Sequence, residues 1–369
     1  MMALEKSELL LRAIAMNGEL PCEAAEYILR SRSYTAALIT KLKKEDLISL
    51  RNKDGLKGYV LRSKGKKKLL TLAGTEGKDI LSGEMENNRP RTDLQKRLRL
   101  HRMAYSFTYF YRMNVPVFPS DKPPFPPKRS DSKQSDYNDE KKLPERNGMA
   151  YFSASEVKAG SVQVKGSRAC GMLFVHQTAY VVYHTMDQRM KWAKKMESSM
   201  RTYAETCLLA NGYLGDVDAV MIGKDMRMML TLLESDGGIK NDIYRPDDVY
   251  EHVYYFSMQD DGRAQMMVSL DGEIRERFRR FLMQPRHAGD TQRYPCADGF
   301  DEQGRPVYIC CDLELRHLIW VKQEMEYKGA GKYICLDYQA GQLKIYFGEE
   351  AEALPLLPGK VLELVSGWR

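Results

Sequence analysis

Glu156-Val157-Lys158 is the tripeptide in this chain whose residue types and spacing come nearest to chemistry. Residues two apart on an extended strand project from one face. A Glu-x-Lys there would set a carboxylate beside an ammonium. With an upstream aspartate, such a pair can hold Mg²⁺ and orient a water for attack on a phosphodiester. Asp131, Asp136 and Asp139 precede it. On this reading Glu156 and Lys158 are catalytic, Glu156 is the metal ligand and Mg²⁺ is the cofactor. The alternative is a structural pair in a chain that needs no cofactor. The aspartates fall in a Pro-, Ser- and charge-rich stretch, and a carboxylate misplaced by about 1 Å can cost roughly 100-fold in rate. The balance therefore favours a structural pair and little nuclease activity.

Other chemistries leave no mark. The six histidines, His101, His176, His184, His252, His287 and His317, are scattered, with no H-x-x-x-H pair. No phosphate-binding glycine loop follows a strand, and there is no G-x-S-x-G elbow. The seven cysteines form no C-x-x-C, and their odd number and irregular spacing suit reduced thiols in a cytoplasm. Cys310-Cys311 reads as part of a buried strand, in a packing role. No apolar run approaches the ~20 residues that cross a bilayer, and the charged N-terminus does not read as a signal peptide. No membrane partner is expected.

Charge is more informative than catalytic residues. Residues 1–102 carry 22 Lys/Arg against 13 Asp/Glu, a net +9 in a chain whose total is +7. The remainder is thus slightly acidic, and the positive field is concentrated where it can attract a polyanion. The elements expected there are three helices, at 4–17, 21–29 and about 34–44. Gly18 closes the first, Pro21 suits the first turn of the second, and Ser31 or Ser33 can cap the third. On the third, Tyr34, Leu38 and Leu42 are expected to pack inward. Ser33, Ala36, Thr40, Lys43 and Lys44 then face outward. A two-stranded ribbon follows, its turn spanning Asn52 to Gly58 with Asp54-Gly55 as the turn signal, and then a closing helix from Lys66. Between Lys41 and Lys68 there are 11 basic and three acidic residues.

That order predicts a winged helix-turn-helix over residues 1–80, with double-stranded DNA as partner. The third helix would enter the major groove and the wing would lie along the backbone. Arg32, Ser33, Thr40, Lys43 and Lys44 on the helix, and Arg51, Lys53 and Lys57 on the ribbon, are the candidate DNA-binding residues. A basic helix at 88–115, capped by Thr92, adds Arg97, either as a solvated linker or as a second backbone-contacting surface. Residues 116–148 read as a long exposed loop.

Residues 149–369 are expected to form a mixed-sheet α/β domain, making the whole chain α+β; a restriction-endonuclease-like arrangement is one form it could take. Strands are expected at 151–157, 169–175, 179–183, 219–222, 253–256, 307–311, 333–336 and 343–347. Helices are expected at 190–209, 226–233, 271–283 and 313–325. Trp192, Met196, Met200, Tyr203 and Cys207 are the expected buried stripe of the first of these.

The run ending YVLRSKGKKKLL, joined through a basic segment to a strand-rich domain containing SEVK, resembles the replication-relaxation family of mobile-element proteins. More distantly it is similar to the C-type mobilisation relaxases. The resemblance is specific over about residues 4–75. It implies a DNA-binding protein of a plasmid or integrative element, acting in replication, mobilisation or their control. Two alternatives stand beside it: a metal-dependent nicking nuclease or relaxase, and a transcriptional regulator whose C-terminal domain senses a ligand or dimerises. A homodimer is an open alternative to a monomer.

Overall fold

A computed structural model describes residues 5–81, 93–127, 148–159, 164–176, 178–213, 217–238, 242–246, 249–284 and 292–368. The fold is mixed α+β with several sheets. It divides into two compact units. The first is Met1–Phe174 with Val181–His184 and Thr202–Leu214; the second is Val175–Tyr180, Thr185–Arg201 and Gly215–Arg369.

In the first unit, α1 (Lys6–Asn17) ends at Gly18, whose φ of 71° only glycine adopts without cost. Strand β1 (Leu20–Pro21) leads into α2 (Cys22–Leu29) and a left-handed Arg30. Helix α3 (Arg32–Lys44) is capped by Ser31, whose hydroxyl accepts from the Tyr34 amide at 3.4 Å. Strands β2 (Ile48–Lys53) and β3 (Leu56–Leu61) pair antiparallel through the two-residue turn Asp54-Gly55. Both turn residues have positive φ, the requirement of a tight turn that matches strand twist. The turn is therefore shorter than the span of residues 52–58 expected for it. β1 joins the far side of β3, Leu20 opposite Tyr59, in the order β1-β3-β2. Helix α4 (Ser63–Leu81) is broken at Gly74. Leu10, Ile14, Leu20, Ala24, Leu38, Leu42, Ile48 and Leu69 form the apolar centre.

Helix α5 (Leu94–Arg112) starts at Asp93, whose carboxylate accepts from the Lys96 amide at 2.9 Å. The expected cap, Thr92, lies outside the described residues, as do Arg89 and Arg91. The segment after α5 departs from an exposed loop: Val115, Val117 and Phe118 are buried, and the Pro116 carbonyl accepts from the Tyr151 amide at 3.0 Å. Its remainder, 128–147, with Asp131, Asp136 and Asp139, lies outside the described residues. Strand β4 (Met149–Ser153), short helix α6 (Ala154–Lys158), strand β5 (Gly171–Val175) and the middle of β6 (Thr178–Met186) follow.

The end of β6 and the first turns of α7 (Lys194–Ala210) open the second unit. Strands β7 (Val217–Gly223) and β8 (Val253–Ser257) run parallel, Ala219 opposite Val253. Helix α8 (Met226–Leu233) leaves β7 under an Asp225 cap. Helices α9 (Arg263–Leu270) and α10 (Gly272–Met283) come after β8. A second sheet is formed by β9 (Gly299–Phe300), β10 (Pro306–Ile309), β11 (Lys332–Leu336) and β12 (Glu352–Leu356) in the order β12-β11-β10-β9. β10, β11 and β12 are parallel and β9 is antiparallel, so this sheet is mixed. Its helices are α11 (Leu315–Lys328), α12 (Asp337–Phe347) and α13 (Pro358–Ser366). Val268, Ile274, Phe278, Val307, Ile309, Ile334 and Val361 pack together.

One expectation fails here for periodic reasons, and a second holds only in part. Residues 343–347 end helix α12 rather than forming a strand, because Gln339, Leu343 and Tyr346 are its buried positions, at helical spacing. Of the stripe expected on α7, Met200 is buried, and Trp192 is buried just ahead of the helix; Met196, Tyr203 and Cys207 are only partly buried, and Glu197, Ala204 and Leu208 take the remaining inward positions. Cys310 and Cys311 are buried immediately past β10, and burial pushes both thiols well above the ordinary cysteine range. No described helix is long and apolar enough to cross a membrane.

Candidate functional site

Helix α3 presents the candidate residues. Leu38, Ile39 and Leu42 face the interior, together with Thr35, whose hydroxyl donates to the Ser31 carbonyl at 2.6 Å. Tyr34 is 42% exposed, with the Lys6 ammonium over its ring, so it leaves the packed face to which the sequence assigned it. Arg32, Ser33, Thr40, Lys43 and Lys44 are all exposed. A surface groove runs along this helix, lined by Ala36, Ala37, Thr40, Lys41, Lys44 and Glu45. Small side chains form its floor, and Lys41 and Lys44 stand at its C-terminal end. The sequence reading missed Lys41. The signal was present, since 37, 40, 41 and 44 follow the i, i+3, i+4, i+7 pattern of one helical stripe.

Lys53 and Lys57 flank the hairpin turn and are exposed. Arg51, two residues earlier on β2, is only partly exposed and reaches Glu19 at 4.0 Å. Lys43 sits 5.3 Å from the Tyr59 ring centre, which ties the helix end to β3.

Arg97 corrects the expectation placed on α5. It is fully buried, not on the surface. Its guanidinium donates to both Glu19 oxygens, at 2.9 and 2.5 Å. It also donates to the carbonyls of Lys53 at 2.9 Å and Leu56 at 3.1 Å, on either side of the hairpin turn. His101, one turn along, lies 3.0 Å from Glu19. Burial works against the charge of Glu19, but the hydrogen bonds from His101 and Arg97 outweigh it and hold the carboxyl at about 2. Gly58 makes room for this cluster: a Cβ there would come 2.6 Å from Glu19 Oε1. A basic residue near a basic surface is thus drawn inward by a single buried acid, which charge counting along α5 does not reveal.

Glu156 and Lys158 also depart from expectation. They lie on helix α6, not on one face of a strand. Ser153-Ala-Ser-Glu156 is a capping box, a motif visible in the sequence. Glu156 Oε2 accepts from the Ser153 amide at 2.7 Å, and the Glu156 amide donates to Ser153 Oγ at 3.5 Å. The Lys122 ammonium pairs with Glu156 Oε1 at 2.9 Å and donates to the Tyr151 carbonyl at 2.5 Å. Burial lowers the Lys122 pKa against the pull of Glu156. Lys158, itself buried, donates to the carbonyls of Ser167 at 2.9 Å and Ala169 at 3.1 Å. A metal at Glu156 would have to displace the Lys122 ammonium, so this carboxylate does not fit the role of Mg²⁺ ligand. Among the described residues no group of three or more His, Cys, Asp or Glu is arranged to hold a metal.

The structural role has a measurable consequence. Glu156→Ala leaves the buried Lys122 without its acid and α6 without half of its capping box. The expected loss is about 1–3 kcal/mol of stability, the usual cost of leaving a buried polar group unmet. Urea unfolding checks it, and an unchanged midpoint would show that the pair carries no structural load.

No protein-family model matches the chain, and neither a curated protein nor a solved structure matches it significantly.

Proposed function

We propose that the first unit binds double-stranded DNA through α3 and the β2–β3 hairpin, in the manner of a winged helix-turn-helix. The observation that carries the reading is the exposed face of α3, with its groove over Ala36, Ala37 and Thr40 and its lysines at 41 and 44. The element order α1-β1-α2-α3-β2-β3 supports it. In that arrangement the N-terminal part of α3, including Arg32 and Ser33, approaches base edges in the major groove. Lys41 and Lys44 at its end, and Lys53 and Lys57 on the hairpin, reach phosphates, while Lys43 lies over the Tyr59 ring. The concentration of positive charge in residues 1–102 supplies the long-range attraction. With the family resemblance of the N-terminal run, the role proposed is replication or mobilisation of a plasmid or integrative element, or control of either.

The two groups of residues should behave differently. Lys53→Ala and Lys57→Ala are expected to weaken binding to all duplexes by a similar factor, because phosphates carry no sequence information. Ser33→Ala or Thr40→Ala is expected to change the ranking among duplexes instead. Fluorescence anisotropy of the full chain on a panel of duplexes reads both. The opposite pattern would mean that α3 is not the element in the groove, and no binding by the wild type to any duplex would end the proposal.

A further inference from the structure

Arg102, on the same helix as Arg97, has no counterpart to Glu19. It is half-buried, and its Nε is buried without a hydrogen-bond partner. Among the described residues neither a carboxylate nor a carbonyl pairs with its guanidinium. Its surroundings are cationic. Arg99 is three residues earlier on the same helical face, and its guanidinium donates to the Lys165 carbonyl at 3.2 Å. Arg168 follows in the same loop, which Lys158 braces from within by its bonds to the carbonyls of Ser167 and Ala169. Burial and the neighbouring Arg168 act against the charge on Arg102, and Cys170 offsets them only in part. Burial raises the pKa of the neighbouring Cys170 thiol, against the smaller pull of Arg102, Lys158 and Arg99. His184, stacked on Tyr105 at 5.5 Å, is kept neutral by burial and by Arg102, with its pKa lowered to about 3.

A half-buried guanidinium whose buried Nε meets no acceptor is unfavourable in the free protein unless an anion completes it. The planar fork of donors on arginine fits tetrahedral oxyanions, phosphate foremost. We propose that Arg102, flanked by Arg99 and Arg168, is a binding site for a phosphate group. The phosphate is either a diester of a nucleic-acid backbone or the phosphoryl group of a free small molecule. The nucleic-acid source rests on the DNA-binding reading above; the site itself does not.

The test uses the full chain, with inorganic phosphate as probe at constant ionic strength. Phosphate should raise the Tm of the wild type, since a ligand that binds only the folded state stabilises it. Arg102→Met should weaken phosphate binding at least about tenfold, as expected when a charge-assisted contact of this strength is removed. Without phosphate its own Tm should be unchanged or higher, because the lost charge had no partner. Arg168→Gln should weaken phosphate binding by a smaller factor, and it keeps the test open if Arg102→Met does not fold. Binding of duplex DNA then distinguishes the sources. A backbone contact at this site lowers the slope of log affinity against log salt by about 0.9 in Arg102→Met. An unchanged slope with phosphate binding lost assigns the site to a small phosphorylated molecule. The proposal is overturned if phosphate does not shift the wild type, or if the folded variants shift as much as the wild type. A wild type that binds phosphate but no duplex would end the DNA reading and leave the site standing.

Discussion

Glu19→Gln is expected to destabilise the first unit by about 3–5 kcal/mol, the cost of removing one partner from a buried ion pair. The loss arises less from the missing attraction than from what stays behind. Arg97 would remain fully buried with a positive charge and only the carbonyls of Lys53 and Leu56 as acceptors. Arg97→Met should cost a comparable amount, since Glu19 would keep only His101 and the more distant Arg51. The double variant should recover part of either loss, because replacing both members of a buried pair is far cheaper than breaking it. Hydrogen exchange of the β2 and β3 amides measures the effect where it acts. Acid should do slowly what the substitution does at once. The Glu19 carboxyl titrates at about 2 in the folded protein against 4.5 for the free group. A depressed carboxyl pKa contributes stability that is complete above 4.5 and is lost as pH falls from there towards 2. In that window the wild type should lose stability faster than Glu19→Gln. Parallel pH profiles, or single substitutions costing less than about 0.5 kcal/mol, the range of ordinary surface changes, would show that the cluster does not hold the unit together.

The second large effect concerns salt. If Lys41, Lys44, Lys53 and Lys57 neutralise about four phosphates, log affinity for duplex DNA should fall against log salt with a slope near −3.6. A fourfold rise in salt would then weaken binding by on the order of 10²-fold. Replacing all four lysines by alanine should remove most of that dependence, because each contact contributes about −0.9 to the slope. These side chains are exposed, so their replacement should leave the fold intact. Titrations of the full chain over a range of KCl concentrations measure the slope directly. A wild-type slope near zero, or one that the quadruple variant keeps, would locate the charge contacts elsewhere or deny them.

The sequence was most legible where local rules act alone. Gly18, Ser31 and Asp54-Gly55 mark helix and hairpin ends through backbone geometry that depends on few neighbours. The apolar spacing of Leu38 and Leu42 likewise orients α3 without knowledge of the rest of the chain. Legibility failed where a distant residue decides the outcome. The fate of Arg97 depends on Glu19, 78 positions away, and that of Glu156 on Lys122, 34 away. Neither separation leaves a periodic trace. In α12 the failure was different: LKIYF has the β-branched and aromatic character of a strand, and packing around Gln339, Leu343 and Tyr346 overrides that propensity. The S-x-x-E spacing at Ser153 is a local helix-start signal that the strand reading of Glu-x-Lys passed over.

The two carbonyls that Arg97 holds belong to Lys53 and Leu56, the residues that bracket the Asp54-Gly55 turn. A hairpin tip is ordinarily the part of a β-ribbon that flexes most, and a partner that grips it must bear the entropy lost when it stops moving. Here the tip is anchored from inside the protein before any partner arrives. Lys53 and Lys57 are therefore exposed side chains on a braced backbone. Any polyanion that meets them immobilises a few methylene chains and no backbone. On that account the hairpin should bind with a smaller entropic opposition than its place at the end of a ribbon suggests, and a change at Arg97 should weaken binding without altering a single residue that touches the partner.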